Sequence, residues 1–261
     1  MAKVIKRSNL QVWGDVIFAI FLREIKSKSN DKLGVAWSVV SPVAFIFMLS
    51  YVRGVVDGGE THGVPTFFFM VYGMLLVQFL LGVLGATASS IKKNKPLYAF
   101  RQVQPISSVI AISGFECLVK AVVIVVIGVI SFYLGFDIQV HDPIHLVFNI
   151  VQVGIFASSL GLIFSLASCF VPEVEKIRSL AMRPIFFISG IFFSLQDIPR
   201  EFWPYLTWNP LLHAVELTRF AAYPHYGSEG VSSFYLSMCT LISLFFALAC
   251  YHISWKQAIS R

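Results

Sequence analysis

The residues in this chain best placed to do chemistry are Glu116 and Lys120. They stand four apart in an apolar run and so share one helical face. They lie about 15 Å in from Ile106 at helical rise, near the middle of a bilayer. An ionisable group at that depth costs at least about 2.5–3.5 kcal/mol on the insertion scale and faces the protein interior. Two roles are open: an intramembrane pair that fixes helix packing, or polar lining of a translocation path. A proton relay would need further carboxylates or histidines along the route, and the histidines (His62, His141, His145, His213, His225, His252) are scattered. No Ser or Cys elbow completes a nucleophilic site. No G-x-x-x-x-G-K-[ST] is present to cradle nucleotide phosphates, and H-E-x-x-H and D-x-D are missing too. Cys117, Cys169, Cys239 and Cys250 fall inside apolar runs, at spacings that fit neither zinc nor a disulfide framework. The catalytic and metal sites are therefore read as none, and the chain as no enzyme.

The elements that position this pair are membrane spans. With 57% hydrophobic residues, 13% charged residues and mean hydropathy +0.76, the chain reads as an all-α polytopic membrane protein. Candidate spans fall at about 34–54, 66–89, 106–134, 146–171, 178–196 and 232–253, giving six transmembrane helices. Before them, LQVWGDVIFAIFLREIKSK has an apolar core too short to span and resumes charge at once, which fits an amphipathic helix in the interface better than a cleaved leader. The whole of 1–261 is read as one membrane domain: 1–33 an interface helix and entrance loop, 34–261 the six-helix part. The net charge of +6 sits in loops, where it reports topology and not nucleic-acid binding. Basic residues crowd the N-terminal segment, the loops near Lys92–Arg101 and Lys176–Arg183, and the tail. The opposite side holds Arg53, Arg200 and Arg219. Both termini are thus expected in the cytoplasm.

Two stretches stand out. Ile185 to Arg219 is apolar and aromatic but broken by Pro199, Pro204 and Pro210 and by Asp197, Arg200 and Glu201. Proline inside a spanning helix removes a donor and clashes with the preceding turn. Broken backbone at membrane depth survives only where protein or a water-filled cavity covers it. The segment therefore reads as one that dips in from the outer face and returns, as lid or lining of a conduit, with an interfacial aromatic belt as the alternative. The second stretch, IKKNKPLYAFRQVQP, sets Lys92, Lys93, Lys95 and Arg101 among Tyr98 and Phe100, with Pro96 and Pro105 bounding a short helix. It suits docking of a cytoplasmic partner, and equally topogenic charge at the headgroups. Ala157, Gly161, Ser165 and Cys169 form a small-residue stripe for close helix approach.

These features together resemble an ABC-2 type permease, most of all the inner-membrane permeases that export capsular polysaccharide. The marks are Leu33-Gly34 with Trp37 and Pro42, the basic loop helix, and Trp208-Asn209-Pro210 followed by His213, Glu216 and Arg219. The resemblance covers nearly the whole chain. It implies an ABC-2 exporter fold with re-entrant periplasmic segments between helices five and six. It further implies a homodimer in the bacterial inner membrane joined to two ATP-binding subunits. ATP and Mg would sit on that partner, with no cofactor on this chain. A periplasmic adaptor and an outer-membrane polysaccharide export channel would follow, with a lipid-linked polysaccharide as substrate and no nucleic acid. By position, Leu33 and Gly34 match a cytoplasmic entrance, joined by Trp37, Arg23 and Lys32. Lys92, Lys93, Lys95, Tyr98, Phe100 and Arg101 match the ATPase-coupling face. Pro199, Asn209 and Pro210 match the periplasmic gate. Phe192, Phe193, Trp203, Tyr205 and Trp208 are candidate channel lining, where aromatic faces suit sugar C–H surfaces. Each of these aromatics could instead face lipid. O-antigen, teichoic acid, lipid and drug permeases of the same class, a membrane-embedded glycan or lipid enzyme, and a secondary transporter are the other readings.

Overall fold

The computed structural model describes residues 8–29, 34–56 and 59–260. Nine α-helices occur among them: α1 (Asn9–Ser29), α2 (Gly34–Val56), α3 (Thr66–Ala88), α4 (Ser90–Lys93), α5 (Pro105–Tyr133), α6 (Pro143–Phe170), α7 (Val174–Ile188), α8 (Pro210–Ala222) and α9 (Ser233–Ser260). A two-residue hairpin, β1 (Glu60–Thr61) with β2 (Val64–Pro65), joins α2 to α3.

Helix α3 is the axis of the bundle. Its apolar residues run all the way round, so it can be satisfied only by burial. Met74, Val77, Val83 and Leu84 are fully buried, while α2, α5, α6 and α8 pack around it. The close contact with α6 uses the small-residue stripe, since a Cβ on Gly161 would stand 1.7 Å from Thr87 Oγ1. Ser165, one turn further, receives the backbone N–H of Ile91 at 3.1 Å. The stripe therefore serves packing within the chain.

Five of the six expected spans are helices long and apolar enough to cross a membrane: Ala36–Val56, Thr66–Ala88, Pro105–Tyr133, Pro143–Phe170 and Ser233–Ser260. The stretch at 178–196 takes another form. Helix α7 has 15 residues, about 22 Å at helical rise, short of the roughly 30 Å of a hydrocarbon core. Its start carries Glu175, Lys176 and Arg178, and Pro184 interrupts it. After Ile188 the chain turns at Gly190, whose φ of +73° suits glycine. Ile191, Phe192 and Phe193 thus continue the apolar run without continuing the helix.

Helix α1, at the stretch expected to lie in the interface, has 21 residues and is longer than its apolar core suggested. It leans on α5, with Phe21 edge-on to Phe115 at 6.3 Å.

Candidate functional site

At one end of α3 the proline-broken segment folds back into the bundle. Ser194 and Asp197 cap a short turn reciprocally: Ser194 N–H donates to Asp197 Oδ2 at 2.8 Å, while Ser194 Oγ accepts from Gln196 N–H. Asn209 then starts α8, its Oδ1 accepting the Leu211 N–H at 3.0 Å, with Pro210 in the first turn where its missing donor costs nothing. Asn209 Nδ2 also donates to Ser189 Oγ at 3.1 Å, closing the end of α7 against the start of α8. Leu211, Leu212, Ala214 and Val215 are buried. The start of α8 and the turn at Ile191–Leu195 are thus covered by protein, while Pro199–Tyr205 lies largely exposed.

Arg219 is the centre of this region and is fully buried. Its Nε and Nη2 donate to Phe69 O at 3.1 and 3.0 Å. Nη2 also reaches Ile191 O at 3.1 Å, and Nη1 reaches Phe193 O at 3.4 Å and Glu216 Oε1 at 3.1 Å. The guanidinium lies 3.4 Å from the Phe69 ring centroid. Tyr226 OH donates to Glu216 Oε2 at 2.8 Å and lies 2.7 Å from Ser194 Oγ. One planar cation thus supplies donors to the carbonyls that the missing helix leaves bare at Ile191 and Phe193. Gly73 on α3 makes room, since a Cβ there would come within 2.9 Å of Arg219 Nη2. The His62–Gly63 turn of the hairpin adds a link, His62 Nε2 lying 2.6 Å from Asp197 Oδ1.

His213 closes the far side. Its Nδ1 accepts from Ser232 N–H at 2.9 Å, which leaves Nε2–H to donate to Thr207 O at 2.7 Å. That is the neutral tautomer. Burial holds the His213 pKa below the ordinary imidazole range, partly offset by the bond to Thr207.

The candidate lining residues separate into two sets. Tyr205, Trp208 and Trp37 are exposed, and so is Pro199. Phe192 instead packs against Phe186 and Phe187, at 5.8 and 6.0 Å between centroids. Phe193 is half-buried and gives its carbonyl to Arg219. Trp203 donates to Ile198 O at 2.8 Å and fills the space beside Gly230. Asn209 is buried as a cap.

The other end of α3 carries the basic loop. Lys93 Nζ reaches Glu24 Oε1 of α1 at 2.7 Å, and Arg23 Nη2 donates to Asn94 Oδ1. Tyr98 is turned inward, its OH 2.7 Å from Ser108 Oγ. Lys92, Lys95, Phe100 and Arg101 are exposed. Tyr98 and Lys93 are thus already engaged within the chain, and the free face of the loop is narrower than its composition suggested.

Glu116 has a different partner from the one expected. Lys28 Nζ of α1 holds its Oε1 at 3.0 Å and lies 4.4 Å from the Phe115 centroid. Lys120 makes no ion pair with Glu116 among the described residues and shares with it the wall of a cleft. Gly34 opens α2, whereas Leu33 and Lys32 lie outside the described residues. Missed at the sequence level were Glu24 and Asn94, and the roles of Lys28, Tyr226 and Ser194. The Glu216–Arg219 spacing in an apolar helix was the one signal that could have found the buried knot.

Five helices of membrane-crossing length and the near absence of sheet among the described residues define a polytopic all-α membrane protein. The chain belongs to the ABC-2 type transporter family, whose pattern matches residues 15–223. It is 33% identical over 246 residues to the polysialic acid transport protein KpsM of Escherichia coli, covering 94% of this chain and 95% of that protein. The capsule polysaccharide export inner-membrane protein CtrC of Neisseria meningitidis serogroup B is 25% identical over 252 residues, with 92% and 91% covered. The inner membrane transport permease YadH of Escherichia coli K12 is 23% identical over 252 residues, with 92% and 95% covered.

Proposed function

We propose that this chain is the membrane subunit of an ABC exporter that moves capsular polysaccharide across a bacterial inner membrane. Energy comes from ATP and Mg bound to two copies of a separate ATP-binding subunit. Both termini lie in the cytoplasm, the Arg219-centred segment faces the periplasm as the gate, and the loop around Lys92–Arg101 receives the ATP-binding subunit. The observation that carries the reading is the 33% identity to a polysialic acid transport protein, along nearly the full length of both chains. The structure supports it in two ways. First, Phe202, Tyr205 and Trp208 stand exposed on a re-entrant segment that the chain itself braces. Second, α2 and α9 leave long apolar faces uncovered, including Trp37, Met48, Tyr51, Phe245 and Phe246, for lipid and a second copy. A homodimer would set the two exposed aromatic sets around one passage. There the many weak contacts of aromatic faces let a hydrated polymer slide. A periplasmic adaptor and an outer-membrane channel would take the polymer onward.

The test is deletion of the gene in an encapsulated host, then complementation with the wild type. Surface polymer should vanish, accumulate inside the cell, and return. Normal surface polymer in the deletion strain contradicts the proposal.

A further inference from the structure

A cleft of about 330 Å³ opens between α2, α3 and α5, level with the middle of α5. Its polar wall includes Ser38, Ser41, Gln78 and Lys120, and Phe45 and Phe79 form apolar sides. Charge here does not cancel. The Glu116 carboxylate on the same wall is taken by Lys28 at 3.0 Å, so the Lys120 ammonium is the positive charge in excess. Gln78 Oε1 is buried and has no hydrogen-bond partner among the described residues. A buried acceptor left unmade is costly, and a cation inside a membrane domain marks a functional site by default. Ser38 spends its proton on Gly34 O at 2.9 Å, so its oxygen is free to accept. The volume is at the small end for ligand sites and suits one unit of a larger molecule.

We infer that this cleft binds an anionic polyol, with its acidic group on Lys120 and a neighbouring hydroxyl donating to Gln78 Oε1. Resting on the export reading, this names what the passage recognises. The acid comes either from a carboxylated sugar unit of the polymer or from a phosphate at its lipid end. The aromatic sides accept the C–H face in both cases.

The experiment uses the full chain with its ATP-binding subunit in nanodiscs of zwitterionic lipid. Binding is measured for a sialic acid trisaccharide, its carboxyl-reduced neutral counterpart, and glycerol 3-phosphate. The charged trisaccharide should bind at least about tenfold more tightly than the neutral one if the polymer is the source. A preference confined to glycerol 3-phosphate places the lipid end there instead. Lys120→Gln should abolish the preference and Lys120→Arg keep it. Ser41→Phe, which fills the cleft from an exposed position, should abolish it without touching the charge. Equal binding of all probes to the wild type overturns the inference, and so does a preference that survives both Lys120→Gln and Ser41→Phe. Lost polymer export with charge-selective binding intact would implicate another step. Intact polymer export without such binding would sink the cleft alone.

Discussion

The two ends of α3 are held by polar contacts of opposite kinds. Around Arg219 the contacts centre on one buried cation, and two segments distant in sequence share it, α3 through Phe69 and the turn after α7 through Ile191 and Phe193. At the basic end, α1 is fastened by separate links to Asn94, Lys93 and Glu116, each between a single pair of side chains. Those pairs are partly open: Lys93 and Lys28 keep 46% and 33% of their side-chain surface exposed. A shared, desolvated centre fails as a unit, whereas isolated and partly screened pairs break one at a time. The Arg219 end is thus braced by one shared centre, and the α1 end by links that break singly.

The largest effect should come from Arg219→Met. It strands Glu216 in a buried site, at a cost of about 3–5 kcal/mol, and frees three carbonyls. Thermal unfolding in detergent should show a large fall in midpoint, or no folded protein. Arg219→Met with Glu216→Leu should recover part of it, because the orphaned charge is gone. Equal damage in both variants would mean that the carbonyl bonds, not the charge, do the bracing.

Gly161→Leu should come next. With Thr87 already in the way, overpacking costs about 1–3 kcal/mol, read as a lower unfolding midpoint. The α1 end should respond more weakly. Glu24→Gln should cost under about 1 kcal/mol, because the half-exposed Lys93 it releases can turn to solvent. Lys92→Glu with Arg101→Glu should reduce capture of the ATP-binding subunit at unchanged thermal stability. Adding Lys93→Glu should lower stability as well, since the buried Glu24 carboxylate then loses its partner. Unchanged capture in every case would remove the docking role from this loop.

The smallest effect concerns pH. A His213 pKa lowered by burial means that the unfolded chain takes up the proton first. Its stabilisation is complete above about pH 6.5 and is lost as pH falls through the lower folded value. Hydrogen exchange at Ser232 should quicken under acid, and His213→Gln should remove that dependence.

Much of this could be read from residue order, and the failures have physical causes. Five spans were plain because sustained apolarity over about 20 residues has few other uses. The stretch at 178–196 misled because apolarity reports depth and not helicity. Ile191, Phe192 and Phe193 are buried or half-buried whether coiled or not, and the warnings were Arg178, Arg183, Pro184 and Gly190. Glu116 was recognised as special, but its neighbour four residues on was a poor guide to its partner, which lies 88 residues earlier. Tyr98 looked like a docking aromatic because Ser108, its partner, sits inside the next span. The proline-broken segment between α7 and α8 was legible as a break in the helices. What braces it was hidden, because backbone carbonyls leave no mark in a sequence.

The most direct test of the account is reconstitution. Purified permease and its ATP-binding subunit are placed in vesicles, and movement of lipid-linked acidic polysaccharide to the far side is followed with a polymer-degrading enzyme. The account predicts transfer that needs both subunits and hydrolysable ATP, and that is lost with Arg219→Met. Transfer by this chain alone, or none with both subunits and ATP present, would contradict it.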